Sequence, residues 1–255
     1  MSDYSSTTTD SGRGLLNTHR TGDRAAHVLF RSDLIEHQRV GSPISDVRDA
    51  VTVVSETLQA RAPDLTDTGF NKLAQHEVEQ RIAPSFREAR VAIHSAFDDL
   101  DKREAPFYRP TFADDQLPAV RVEQRQWARS LSLPQLLKVV QDDPTLAGAI
   151  IEGGHAMSGL PADIFARLRR EMAVHRATTI LSGQRQFAVA ATADDPVAGQ
   201  PDHDAARTAG EALIKAFEDE RELLATAPDL LANVVTAVAL MLDVNRAEAF
   251  KVLTE

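Results

Sequence analysis

FNKLAQHEVEQRIAPSFREARVAIHSAFDDLDKRE, residues Phe70 to Glu104, is the longest part of this chain that reads as one helix. Its apolar residues Phe70, Leu73, Val78, Ile82, Phe86, Ala89, Ile93, Phe97 and Leu100 recur mostly at steps of three and four. That spacing lines one side of an α-helix. At about 1.5 Å per residue the rod would be roughly 50 Å long. Pro84 lies in its middle and lacks the amide proton that would bond back to Gln80, which predicts a kink. A break, with Pro84 opening a new helix, would leave Ala83 at the cap, and alanine has no side chain that can cap.

The rod needs a neighbour. Pro43 to Arg61 reads as a helix capped by Ser42, with Ile44, Val47, Val51, Val54 and Leu58 forming a short a/d seam. Pro63 ends it, and the longer helix returns antiparallel. The first helix spans only about 27 Å, so it shields about half of its partner. Ile93, Phe97 and Leu100 therefore need cover from the C-terminal helices or from another copy. A neighbouring copy is expected over at least part of the stripe, which makes these three residues candidate oligomer or partner contacts.

Around this hairpin the rest of the chain falls into place. Residues 1–43 read as a flexible arm, rich in Ser, Thr, Asp and Gly, with five arginines against five acids. Only Val28, Leu29, Phe30, Leu34 and Ile35 suggest a short amphipathic helix there. Residues 44–117 hold the hairpin and a strap, EAPFYRPTFADDQLP, whose three prolines predict extended chain from Ala105 to Pro118. Residues 118–193 read as a cluster of short helices. These run from Pro118 to Ser130 with Val120, Gln124, Trp127 and Leu131 on one side, then Leu133 to Gln141, Thr145 to Glu152, and Pro161 to about Thr178. Residues 194–255 comprise an acidic linker and C-terminal helices. No segment alternates in the manner of a strand and no repeat is present, so the fold expected is all-α.

Composition bounds the function. The chain has 255 residues, 43% hydrophobic and 26% charged, enough for a soluble core. A net charge of −10 makes nucleic acid a disfavoured partner. There is no cysteine, hence no disulfide or thiolate metal site. MSDYSSTTTD lacks the basic start and apolar core of a signal peptide, and the longest apolar run, Ala237 to Leu242, is too short to span a bilayer.

The motifs that invite chemistry each fail on spacing. His76-Glu77 would need a second histidine at position 80, which holds Gln80. Asp98, Asp99 and Asp101 start like a calcium loop, but Arg103 occupies a ligand position and no glycine follows. Ser158 sits among glycines without the flanking pair of a nucleophile elbow, and reads as a turn residue. No catalytic residue, cofactor or metal is expected, and the protein reads as no enzyme. Arg167, Arg169, Arg170, Arg176 and Arg185 concentrate positive charge; Arg169 and Arg176, seven apart, share a helix face and are candidate contacts for an anionic partner. Residues 194–230, with ten acids against three bases, read as a solvated acidic face or a dock for a basic partner.

RSLSLPQLLKVVQDDPTLAGAIIEGGHAMSGLPADIFARLRREMAVH, Arg129 to His175, resembles a segment of uncharacterised helical proteins encoded by tailed bacteriophages and prophages. They share an Arg-Ser-Leu helix, two short Leu/Ala helices, a Ser-Gly-Leu turn and a Leu-Arg-rich helix. The resemblance covers under a fifth of the chain and departs at Gly153-Gly154-His155. It implies a phage setting and names no functional residue. The expectation that follows is a structural or assembly protein of a phage particle, in the virion or host cytoplasm. It would contact copies of itself and other virion proteins through helices, with no membrane role. The alternative is a cytoplasmic helical adaptor.

Overall fold

A computed structural model of the chain describes residues 2–8, 14–21, 23–110, 112, 117–194 and 197–255. Strands β1 (Ser2–Thr8), β2 (Gly14–Thr21) and β3 (Arg24–Arg31) open the chain. Helices follow: α1 (Ser32–Ile35), α2 (Gly41–Arg61), α3 (Asp67–Glu77), α4 (Ala83–Tyr108), α5 (Pro118–Ser130), α6 (Leu133–Asp142), α7 (Pro144–Gly153) and α8 (His155–Ser158). The last four are α9 (Ala162–Ser182), α10 (His203–Ala225), α11 (Ala227–Leu242) and α12 (Arg246–Thr254). Overall the fold is all-α. The chain forms two compact units, residues 1–100 with 220–255 and residues 101–219.

The seam of the first unit's hairpin follows the sequence, but its first helix starts at Gly41 with Val40 at the cap position, so Ser42 lies inside the helix and caps nothing. Ile44, Val47, Val51, Val54 and Leu58 of α2 are all buried. Gly41 opens that helix where the chain passes so close that a Cβ would lie 2.0 Å from the Ile35 carbonyl oxygen. Between α3 and α4, residues Val78–Ile82 form one π-helical turn, closed by the Ala83 amide donating to the Val78 carbonyl. The wider turn carries the helical path up to Pro84 without a break. At the far end α4 runs through Ala105, Pro106 and Phe107 to Tyr108, where the prolines predicted extended chain. Pro106 forfeits one backbone bond, yet packing of the last turn, with the Phe107 and Phe217 rings 5.8 Å apart, holds it helical. Of the strap beyond, residue 111 and residues 113–116 lie outside the described residues.

The largest departure from the sequence reading is at residues 24–31. They form a strand where a short helix over Val28 to Ile35 was expected, and helix is limited to the single turn α1. Ala26, Val28 and Phe30 are buried while Ala25, His27 and Leu29 face out, so the alternation is there but brief. β2 pairs antiparallel with both neighbours, placing Asn17 opposite Val28 and His19 opposite Ala26. These buried polar residues occupy the inner positions that an apolar alternation would have marked.

α11 packs chiefly on β3 and is buried on nearly all sides. The continuous helical stretch His203–Leu242 is long and apolar enough to cross a membrane by length and composition, but 56% of its most apolar window is buried within the protein. Burial against the sheet accounts for the apolar character of α11.

In the second unit, Ala128, Leu136, Val140, Leu146, Ala147, Ile150 and Leu160 form a core beneath half-buried Ile164, Phe165, Leu168 and Met172. α5 has the expected bounds but not the expected inner face. Val120 and Trp127 are exposed, and Arg121 and Arg125 turn inward to the Glu152 carboxylate of α7 at 3.0 and 2.7 Å. Gly154, at φ 73°, ends α7 in a conformation open to glycine.

Candidate protein-docking groove

The groove begins with spacing. On α4, Phe86, Arg90, Ile93, His94 and Phe97 fall on one helix face at steps of three and four. On α11, Pro228, Leu231, Ala232 and Val235 do the same. The chain then reverses: Asp243 adopts the left-handed conformation, the Val244 amide donates to the Ala239 carbonyl, and the Asn245 side chain caps α12 through the Glu248 amide at 3.0 Å. That turn lays Arg246, Ala247 and Phe250 along the same opening.

The result is a groove of about 530 Å³ within the first unit, walled by apolar side chains. Phe86, Ile93, Leu231 and Val235 form its buried base. Phe250 is 43% exposed at its mouth, with its ring edge-on to Phe86 at 6.5 Å. The Arg90 guanidinium lies 5.3 Å over the Phe250 ring, and Arg246 donates to the Ala232 carbonyl at 3.4 Å. Among the described residues neither arginine pairs with a carboxylate and no carboxylate lines the groove.

The groove gathers two of the three residues singled out on the long helix. Ile93 lies in its base and Phe97 is half-exposed on its wall, but Leu100 is fully buried and presents nothing to a partner. The C-terminal helices supply the opposite wall, so part of the cover expected from another copy comes from the chain itself. Phe86, Phe250, Arg90 and Arg246 were legible as members of helices, but no local signal brings residues more than a hundred positions apart to one opening.

Arg169 and Arg176, seven apart on α9, both reach the end of α4. Arg169 stacks 4.9 Å over the Tyr108 ring and Arg176 donates to the Pro106 carbonyl, so they brace the end of α4. Burial raises the Tyr108 pKa, with Glu218 and Glu104 adding to the effect. Ser158 is buried in its turn, donating to the His155 carbonyl and accepting from the Leu160 amide, as a turn serine does. Asp99 pairs with Arg39 at 2.9 Å. A second concavity, of about 610 Å³ in the second unit, has an apolar floor of Val140, Ile164, Leu168 and Met172. Glu171 and Arg207 pair across its rim at 3.6 Å.

In comparisons with known proteins, no family model matches this sequence, and no curated protein and no solved structure matches it either.

Proposed function

We propose that this is a non-enzymatic structural or assembly protein acting through helix-mediated protein contacts, with the groove between α4, α11 and α12 as the contact surface. The observation that carries the reading is the half-exposed Phe97 and Phe250 above a buried apolar base. Large apolar side chains left in water forfeit roughly 1.5–3 kcal/mol each relative to burial. A contiguous apolar opening walled by helices suits the ridge of another helix. The segment Arg129 to His175 supports a tailed-phage setting, in which the partners are virion proteins and further copies of this chain.

The test is mass measurement of the wild type and of Phe97→Asp, each alone and within any particle it joins, with circular dichroism as the control for folding. The expected result is loss of an assembly by the variant while its helix content stays unchanged. Assemblies of unchanged size and affinity would remove the groove from the contact. A variant that loses its helix signal would identify Phe97 as core instead.

A further inference from the structure

The groove has a charge pattern at odds with the protein that bears it. The chain carries a net charge of −10, yet among the described residues the only charged or titratable side chains lining the opening are Arg90, His94 and Arg246. Two guanidiniums without a carboxylate partner among the described residues flank an apolar slot, and the whole arrangement lies within one unit. From this we infer that the groove's occupant is an acidic amphipathic helix carried by a different protein. The inference rests on the docking reading above and adds the identity of what docks.

Three arguments converge. The lining residues of α4 and α11 recur at helical steps, which leaves a slot suited to apolar side chains at i, i+3 or i+4, and i+7 of an incoming helix. Glutamates flanking that ridge would meet Arg90 and Arg246 at the edge, where opposite charges steer encounter and fix register. A second copy docking groove to groove would do the reverse. A two-fold contact sets the same patch against itself, so it faces one copy's Arg90 and Arg246 with a lining that offers the same two arginines and no carboxylate. Like charges facing each other in a partly desolvated interface cost affinity.

The experiment uses the full chain and two labelled helical peptides with the same leucine and phenylalanine ridge, one flanked by glutamates and one by lysines. Binding is read by fluorescence anisotropy at low and at raised salt. The glutamate peptide should bind at least about tenfold more tightly than the lysine peptide and weaken as salt rises. Arg90→Glu combined with Arg246→Glu should reverse the preference, and Arg90→Gln with Arg246→Gln should abolish it if the reversed variant folds poorly. Equal binding of both peptides would overturn the acidic partner and leave docking intact. If neither peptide binds while Phe97→Asp still dissolves an assembly of the purified chain alone, a second copy fills the groove and the inference falls alone. If neither binds and Phe97→Asp changes nothing, the docking reading falls with it.

Discussion

Burial of the His19 imidazole holds its pKa down at about 4, against an ordinary 6.5. Its Nδ1 lies 3.4 Å from the Ser55 hydroxyl, its ring is 5.0 Å from Tyr4, and its Nε2 is buried without a hydrogen-bond partner among the described residues, as is Asn17 Oδ1. A histidine that stays neutral when folded favours the folded state above pH 6.5. Between pH 6.5 and about 4 the unfolded chain binds the extra proton, and that contribution is lost, at most about 3 kcal/mol. His19→Gln should therefore flatten the fall in denaturation midpoint over this range; equal slopes for variant and wild type would count against the burial. In the second unit, hydrogen bonds from Arg121 and Arg125 hold the Glu152 carboxyl below the usual carboxylate range against the opposing effect of its own desolvation. The two arginines are largely covered, with side chains 16% and 18% exposed. Glu152→Gln should cost about 1–2 kcal/mol by removing a charged acceptor, measured by urea unfolding at pH 7. The difference should vanish in acid once Glu152 itself is protonated.

Two prolines within one helical path show how elements accommodate a local rule. At Pro84 the backbone widens into a π turn, so the missing amide bond is absorbed and the helix continues. At Pro106 there is no such turn, and the proline sits inside α4 two residues before its end. Restoring the amide proton and removing the ring from the Lys102 carbonyl should stabilise the protein. Pro106→Ala is expected to gain about 1 kcal/mol, less than the full cost of an interior proline, because proline also restricts the unfolded chain. Thermal unfolding checks it, and a fall in melting temperature would mean the proline is needed where it stands. At the start of α2 the sign is opposite. Gly41→Ala would drive a Cβ into the Ile35 carbonyl and should destabilise by more than 1 kcal/mol.

The first unit draws its core from both ends of the chain. Ala26, Val28 and Phe30 of β3 cover α11, whose Val234, Val238 and Leu240 are buried in turn. A chain beginning after residue 40 should therefore lose the cover of its most apolar helix and unfold or aggregate, as size-exclusion chromatography and circular dichroism would show. A folded, monomeric product would mean that residues 1–40 add nothing to this core. The same arrangement builds the groove, since one wall comes from α4 and the other from α11 and α12.

By itself the sequence determined the helices. Periodicity over Pro43 to Arg61 and Phe70 to Glu104, and capping or breaking residues at Pro118, Ser132, Asp143, Gly153-Gly154 and Pro228, act over one or two turns, so they are written locally. It also carried the stripe of Ile93 and Phe97, because a helix face is a local repeat. Tertiary structure decided the rest. β2 is hidden because Asn17 and His19 stand where apolar residues would mark an inner face, and only pairing with β3 and packing on α2 make it a strand. Pro106 is helical because the last turn of α4 packs on a ring from residue 217. The groove exists because burial of α11 beneath the sheet brings the C-terminus beside α4. Contacts over such separations depend on the folded arrangement of the whole core, which no local pattern of residues encodes.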